Sequence, residues 1–142
     1  MTKNGSSHKQ NFLKSLMPIS YHDNEATSSD PTRFMIIHVD TNQIMKSWKT
    51  SLFSFEWLNK DGSIKDQNDL STSLAEKYQS LSQSIEEGKS LTRPVLGVGL
   101  MDNVEIGSAR DVFLTLAKHD IHSIEVHILK NDQDFFKYYE AR

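Results

Sequence analysis

Ile106-Gly107-Ser108-Ala109-Arg110 stands between the apolar run Val104-Glu105-Ile106 and a second run that begins at Val112. The first run reads as a strand that Gly107 breaks. The second reads as a helix with Val112, Phe113, Leu116 and Ala117 on one face, and Ser108 or Asp111 is placed to cap it. Just upstream, Pro94 leads Val95-Leu96-Gly97-Val98-Gly99-Leu100, another strand, and Met101-Asp102-Asn103 is a tight connection between the two. Downstream, Ile124-Glu125-Val126-His127-Ile128 alternates as a half-buried strand does.

Further out, Asp69-Leu70-Ser71-Thr72 offers helix-start oxygens, and Leu74, Tyr78, Leu81 and Ile85 follow at helical spacing. Gly88 stands where a left-handed helix stop belongs. Phe34 to Val39 reads as a buried strand, and Gln43 to Thr50 is ambiguous. Leu52 to Leu58 partly alternates ahead of Asp61-Gly62, so a hairpin ending at Ser63-Ile64-Lys65 is expected. Asp132 to Tyr139 reads as a last helix carrying Phe135, Phe136 and Tyr139. The order implies an α/β (α+β) fold, a small mixed sheet with flanking helices.

Residues 1–32 differ in composition. They are rich in Ser, Asn, Lys, His and Asp, with one apolar cluster at Phe12, Leu13, Leu16, Met17 and Ile19. A mostly disordered tail is expected there, and one folded domain over 33–142. The whole chain has 142 residues and 37% hydrophobic residues, enough for one core. Its net charge of −3 gives no broad nucleic-acid footprint, so DNA binding needs a local patch. There is no cysteine, which excludes disulfides, thiolate metal sites and thiol nucleophiles. No apolar run is long enough to span a bilayer, and Lys3, Lys9 and Lys14 precede no apolar signal core. A cytoplasmic protein without membrane contact is expected.

The stretch Tyr78 to Ile128 resembles the ParB/sulfiredoxin superfamily. Five pieces carry the likeness in order: Leu81 to Gly88 with Ser84-Ile85 inside it, Pro94-Val95, Asp102-Asn103, Gly107-Ser108-Ala109-Arg110, and Ile124 to Ile128. Lys77, Ser80 and Ser84 match positions that in sulfiredoxins supply a Lys and hydroxyls to ATP. The likeness therefore implies ATP or CTP with Mg²⁺ as ligand, and Lys77, Ser80, Ser84, Gly107, Ser108 and Arg110 as phosphate donors. It does not carry over sulfiredoxin chemistry. The family's loop Cys is Ser108 here, and its His is Ala109. The helix-turn-helix module of ParB proteins is likewise expected to be absent.

The residues fit phosphate chemistry on their own terms. A helix N-terminus presents unpaired N–H groups, and Arg110 is a planar fork of donors. Lys77, Ser80 and Ser84 share one helix face. The competing account is structural: Arg110 solvated or paired with Glu105 or Asp111, and the serines as the polar side of an amphipathic helix. Asp102 and Glu105 are the candidate catalytic carboxylates, with Asp111 nearby. His119, His122 and His127 lack the convergent spacing of a metal site. Trp48 and Trp57 read as core, with Trp57 beside Lys60 as an alternative stacking position.

Three functional readings stay open. One is a stand-alone domain that binds nucleotide or DNA phosphate and acts as a nuclease or regulator of a plasmid or other mobile element. Another is a non-catalytic interaction module with a decayed nucleotide site, binding a protein through its N-terminal tail or C-terminal aromatic helix. The third is a small-molecule or protein kinase.

Overall fold

The structure is a computed structural model and describes residues 18–142. Its strands are β1 (Tyr21–His22), β2 (Phe34–Asp40), β3 (Leu91–Thr92), β4 (Val95–Val98), β5 (Val104–Ser108) and β6 (Ser123–Leu129). Its α-helices are α1 (Thr41–Trp48), α2 (Thr72–Glu86), α3 (Arg110–Lys118) and α4 (Gln133–Phe136). The main sheet runs β2-β6-β4-β5; β6 pairs antiparallel with β2 and parallel with β4, and β4 pairs antiparallel with β5. This is the mixed α+β sheet that the sequence implies.

Alternation along β6 divides the molecule into two faces. Ile124, Val126 and Ile128 are fully buried. With Ile37 and Val39 of β2 and Leu96 of β4 they meet Ile44 and Trp48 of α1 and Phe113 and Leu116 of α3 in one core. Glu125 and His127 point to the other face. There β1 and β3 form a second, two-stranded parallel ladder.

Local chemistry explains the helix limits. The Asp40 carboxylate accepts from Gln43 N at 3.0 Å and starts α1, settling the ambiguous 43–50 stretch. Ser71 caps α2 by accepting from Leu74 N, and Gly88 stops it at φ +70°.

Four expectations need correction. Residues 18–32 are built into the fold: Asn24 and Thr27 are buried, and β1 lies in a ladder. Hydropathy misses them because polar side chains do the anchoring. Residues 1–17, with the Phe12-Leu13-Leu16 cluster, lie outside the described residues. The hairpin is reduced to one bridge, Leu58 to Ile64, around a turn with Gly62 at φ +88°; Ser54–Glu56 is a 3-10 turn. The last helix is a single α-turn between the 3-10 turns Lys130–Asp132 and Lys137–Tyr139. Neither Ser108 nor Asp111 caps α3. Its N-cap is Ala109, in the left-handed region, with no side-chain cap bond.

Candidate phosphate turn and its surroundings

The β5–α3 turn differs from the sequence expectation in where its backbone departs from the ordinary. Val95 pairs with Ser108 and Leu96 with Ile106, so Gly107 is the extra residue of a bulge. A Cβ on Gly107 would meet Val95 O at 3.6 Å, an ordinary contact. The left-handed residue is Ala109 (φ 55°, ψ 40°), a conformation that costs an alanine on the order of 1 kcal/mol. Arg110 follows with helical geometry. A left-handed residue followed by a right-handed one aims successive N–H groups into a concavity suited to an anion.

The side chains around this turn are partly engaged. Arg110 Nε and Nη2 each donate to Ile106 O at 3.3 Å, and Nη1 lies 3.6 Å from Glu56 Oε1. Its guanidinium stacks 4.8 Å from the Phe53 ring centroid. Arg110 therefore pairs with Glu56, and the expected partners Glu105 and Asp111 lie elsewhere. Ser108 Oγ accepts from Asn24 Nδ2 at 3.0 Å.

The carboxylates do not converge on the turn. Glu105 Oε1 accepts from Ser51 Oγ at 2.6 Å, and Oε2 from Asn103 Nδ2 at 2.9 Å. Asp102 is exposed in the β4–β5 turn at φ 56°, with the length of β5 between it and Arg110. Lys77 and Ser80 are exposed on α2, and Ser84 is half-buried. No side-chain hydrogen bond or ion pair holds any of the three among the described residues. Among the histidines, His119 stacks on Tyr78 and its Nε2 bonds Ser82 Oγ at 2.8 Å. Trp48 and Trp57 are buried in the core.

A second polar cluster, on the β1–β3 face, has no local sequence signal. Arg93 Nε donates to Glu125 Oε2 at 2.6 Å, and Nη1 pairs with Asp23. Nη1 also lies 3.3 Å from His127 Nε2. The other Glu125 oxygen is 3.2 Å from His38 Nε2. Burial, reinforced by the Glu125 charge, pushes the Tyr21 hydroxyl up to about 12, although a backbone hydrogen bond at Glu125 opposes the shift. Burial and then the Arg93 charge lower the His127 pKa from 6.5.

That direction fixes a pH dependence. A histidine whose folded pKa lies below its unfolded one binds fewer protons when folded. Its stability contribution is present above about 6.5 and is lost as pH falls through the folded value. Thermal melts stepped downward from neutral pH should show this loss, and His127→Gln should flatten it. Parallel pH profiles for the two proteins would refute the assignment.

Exposed apolar side chains gather on the opposite rim. Leu52, Phe53 and Phe55 follow Ser51, while Leu100 and Met101 sit in the β4–β5 turn; Glu105 ties the two segments together through Ser51 and Asn103.

No family model matches the chain, and no curated protein matches it in sequence. Its fold is similar to a solved structure described as the oncogenic suppression activity protein, a plasmid fertility inhibition factor, in a gold(I) cyanide derivative. The TM-score is 0.54 at 11% identity, over 82% of this chain. The match spans 62% of that chain's length, and at this identity the likeness is one of fold. Among the described residues no helix is long and apolar enough to cross a membrane.

Proposed function

We propose that this chain is a ParB/sulfiredoxin-like regulator of a plasmid or other mobile element that binds a nucleotide or nucleic-acid phosphate at the Gly107–Arg110 turn. The observation that carries the reading is the left-handed Ala109 at the uncapped start of α3, with the Arg110 fork beside it. The plasmid context comes from the description of the structural neighbour. Lys77, Ser80 and Ser84 supply further donors if α2 shares the ligand. Among the described residues no three His, Asp or Glu side chains gather to hold a cation, so Mg²⁺ enters as part of a nucleotide–metal complex. Glu105 and Asp102, the carboxylates that nuclease or kinase chemistry would need, do not converge on this turn, so the proposal is one of binding.

The test is titration of ATP, CTP and a short DNA against the full chain, with Arg110→Ala beside it and DNA cleavage followed in parallel. At least one ligand should bind, and Arg110→Ala should weaken it about tenfold or more, the value of a charge-assisted hydrogen bond. Absence of binding to all three would overturn the proposal.

A second reading has its own observation. Arg110 already has Ile106 O, Phe53 and Glu56 as partners, as expected of a turn retained for structure. In that reading the chain is a protein-interaction module, and exposed Leu52, Leu100 and Met101 form its contact surface.

A further inference from the structure

We propose that the lobe of residues 49–62 is a binding platform for single-stranded nucleic acid, with Phe55 as the base-stacking residue and Lys49 and Lys60 as the phosphate contacts. The lobe forms an open cavity of about 440 Å³ whose lining includes Lys49, Thr50, Phe55, Asn59 and Lys60. That volume is within the roughly 300–1,000 Å³ of clefts that hold small ligands.

Three observations converge there. Phe55 is 69% exposed and has no ring partner among the described residues, whereas neighbouring Phe53 already carries the Arg110 guanidinium. Lys49 and Lys60 line the same cavity as this ring and have no ion-pair partner among the described residues. The carboxylate in the lining, Asp61, is turned into its own loop, where it accepts from Ser63 N at 2.9 Å and Ser63 Oγ at 2.6 Å. Those bonds keep it ionised by lowering its pKa and hold it in the turn.

An exposed aromatic ring sharing a cavity with two ammonium groups that are unpaired among the described residues is the chemistry of strand binding without base readout. It favours a single strand over a duplex, because paired bases offer no face to stack. It also favours nucleic acid over an apolar protein segment, because two unpaired lysines beside one ring match a backbone of phosphates. The sequence reads Trp57 as core, with stacking beside Lys60 as the alternative. Trp57 is buried, and the ring that faces outward is Phe55.

Arg110 packs on Phe53 and pairs with Glu56 of this lobe. The platform's own contacts are Phe55, Lys49 and Lys60, so variants of those three that leave Arg110 in place test the two proposals separately. The experiment is fluorescence anisotropy of a labelled oligothymidylate of about 20 nucleotides with the full chain, Phe55→Ala, Phe55→Trp, Lys49→Ala/Lys60→Ala and Arg110→Ala. Phe55→Ala should weaken binding about tenfold. Phe55→Trp should keep it, with indole fluorescence quenched on binding. The lysine pair should reduce the salt slope by about 1.4, two phosphate contacts at about 0.7 each. All the substituted side chains of the lobe lie on the surface, so melting temperatures should stay put.

Wild-type binding in Phe55→Ala and the lysine pair would overturn the platform. So would failure of the intact chain to bind the strand, equal affinity for a duplex, or equal affinity for thymidine monophosphate. Loss of strand binding through Arg110→Ala alone would overturn the platform and leave the turn proposal standing. Intact strand binding with no ATP or CTP bound supports the platform and leaves the turn proposal without its nucleotide.

Discussion

Arg93→Ala lowers the unfolding free energy by about 3 kcal/mol, the range for breaking a buried ion pair at one end. The Arg93 side chain is 13% exposed and that of Glu125 22%, whereas Asp23 is 80% exposed. Glu125 is therefore the partner that matters, since an exposed pair contributes little. Burial alone would lower the Arg93 pKa, but the Glu125 and Asp23 interactions outweigh it and raise the pKa above the ordinary arginine value. Removing the guanidinium leaves the Glu125 carboxylate half-buried beside a His38 that is charged only when protonated. Urea denaturation followed by circular dichroism measures the change. A loss below about 1 kcal/mol would mean that water reaches Glu125 freely.

Phe136→Ala has the larger expected effect, about 4 kcal/mol from lost transfer energy and the cavity left behind. Phe136 is fully buried, with Phe135 edge-on at 5.1 Å and Tyr139 at 6.0 Å. The helix that carries it is four residues long, too short to persist without packing. Its loss frees the C-terminus. Glu140 bridges Val39, and Ala141 N donates to His38 O at 2.9 Å, so the last residues cover the outer edge of β2. Uncovering that edge should add self-association to the destabilisation. Calorimetry should show a fall in Tm on the order of 10–15 °C. Tyr138→Ala, at a position 74% exposed, is the control and should move stability by less than about 0.5 kcal/mol. Equal effects at the two positions would contradict the packing account.

The elements that could be read in advance were those set by local periodicity. The strand expected from Phe34 is Phe34–Asp40, and the helix opened by Asp69 to Thr72 and stopped near Gly88 is Thr72–Glu86. Leu52 to Leu58 misled because hydroxyls compete there with ladder formation. Ser51 Oγ accepts from Phe53 N at 3.2 Å, and Ser54 Oγ donates to Ser51 O at 2.9 Å. Trp57 and Leu58 are then buried side by side, unlike the alternate burial of a half-exposed strand. At the candidate site, the turn was legible as a strand–helix junction. The left-handed Ala109 was not, because it follows a bulge whose register depends on Val95 and Leu96 of the neighbouring strand. The Arg93 cluster was invisible because Asp23 and Glu125 lie 70 and 32 residues from it in the chain.

That separation has a kinetic side. The β1–β3 ladder is two residues long and joins positions about 70 residues apart. Closing so long a loop brings few contacts in return, so the ladder forms only after β2, β6 and β4 have made the sheet it lies on. The polar face is thus assembled last and released first. Residues 18–24 then behave as a latch that opens by local unfolding, well below the energy of the whole domain. Proteolysis and hydrogen exchange accordingly enter the molecule from the side where Asp23 meets Arg93.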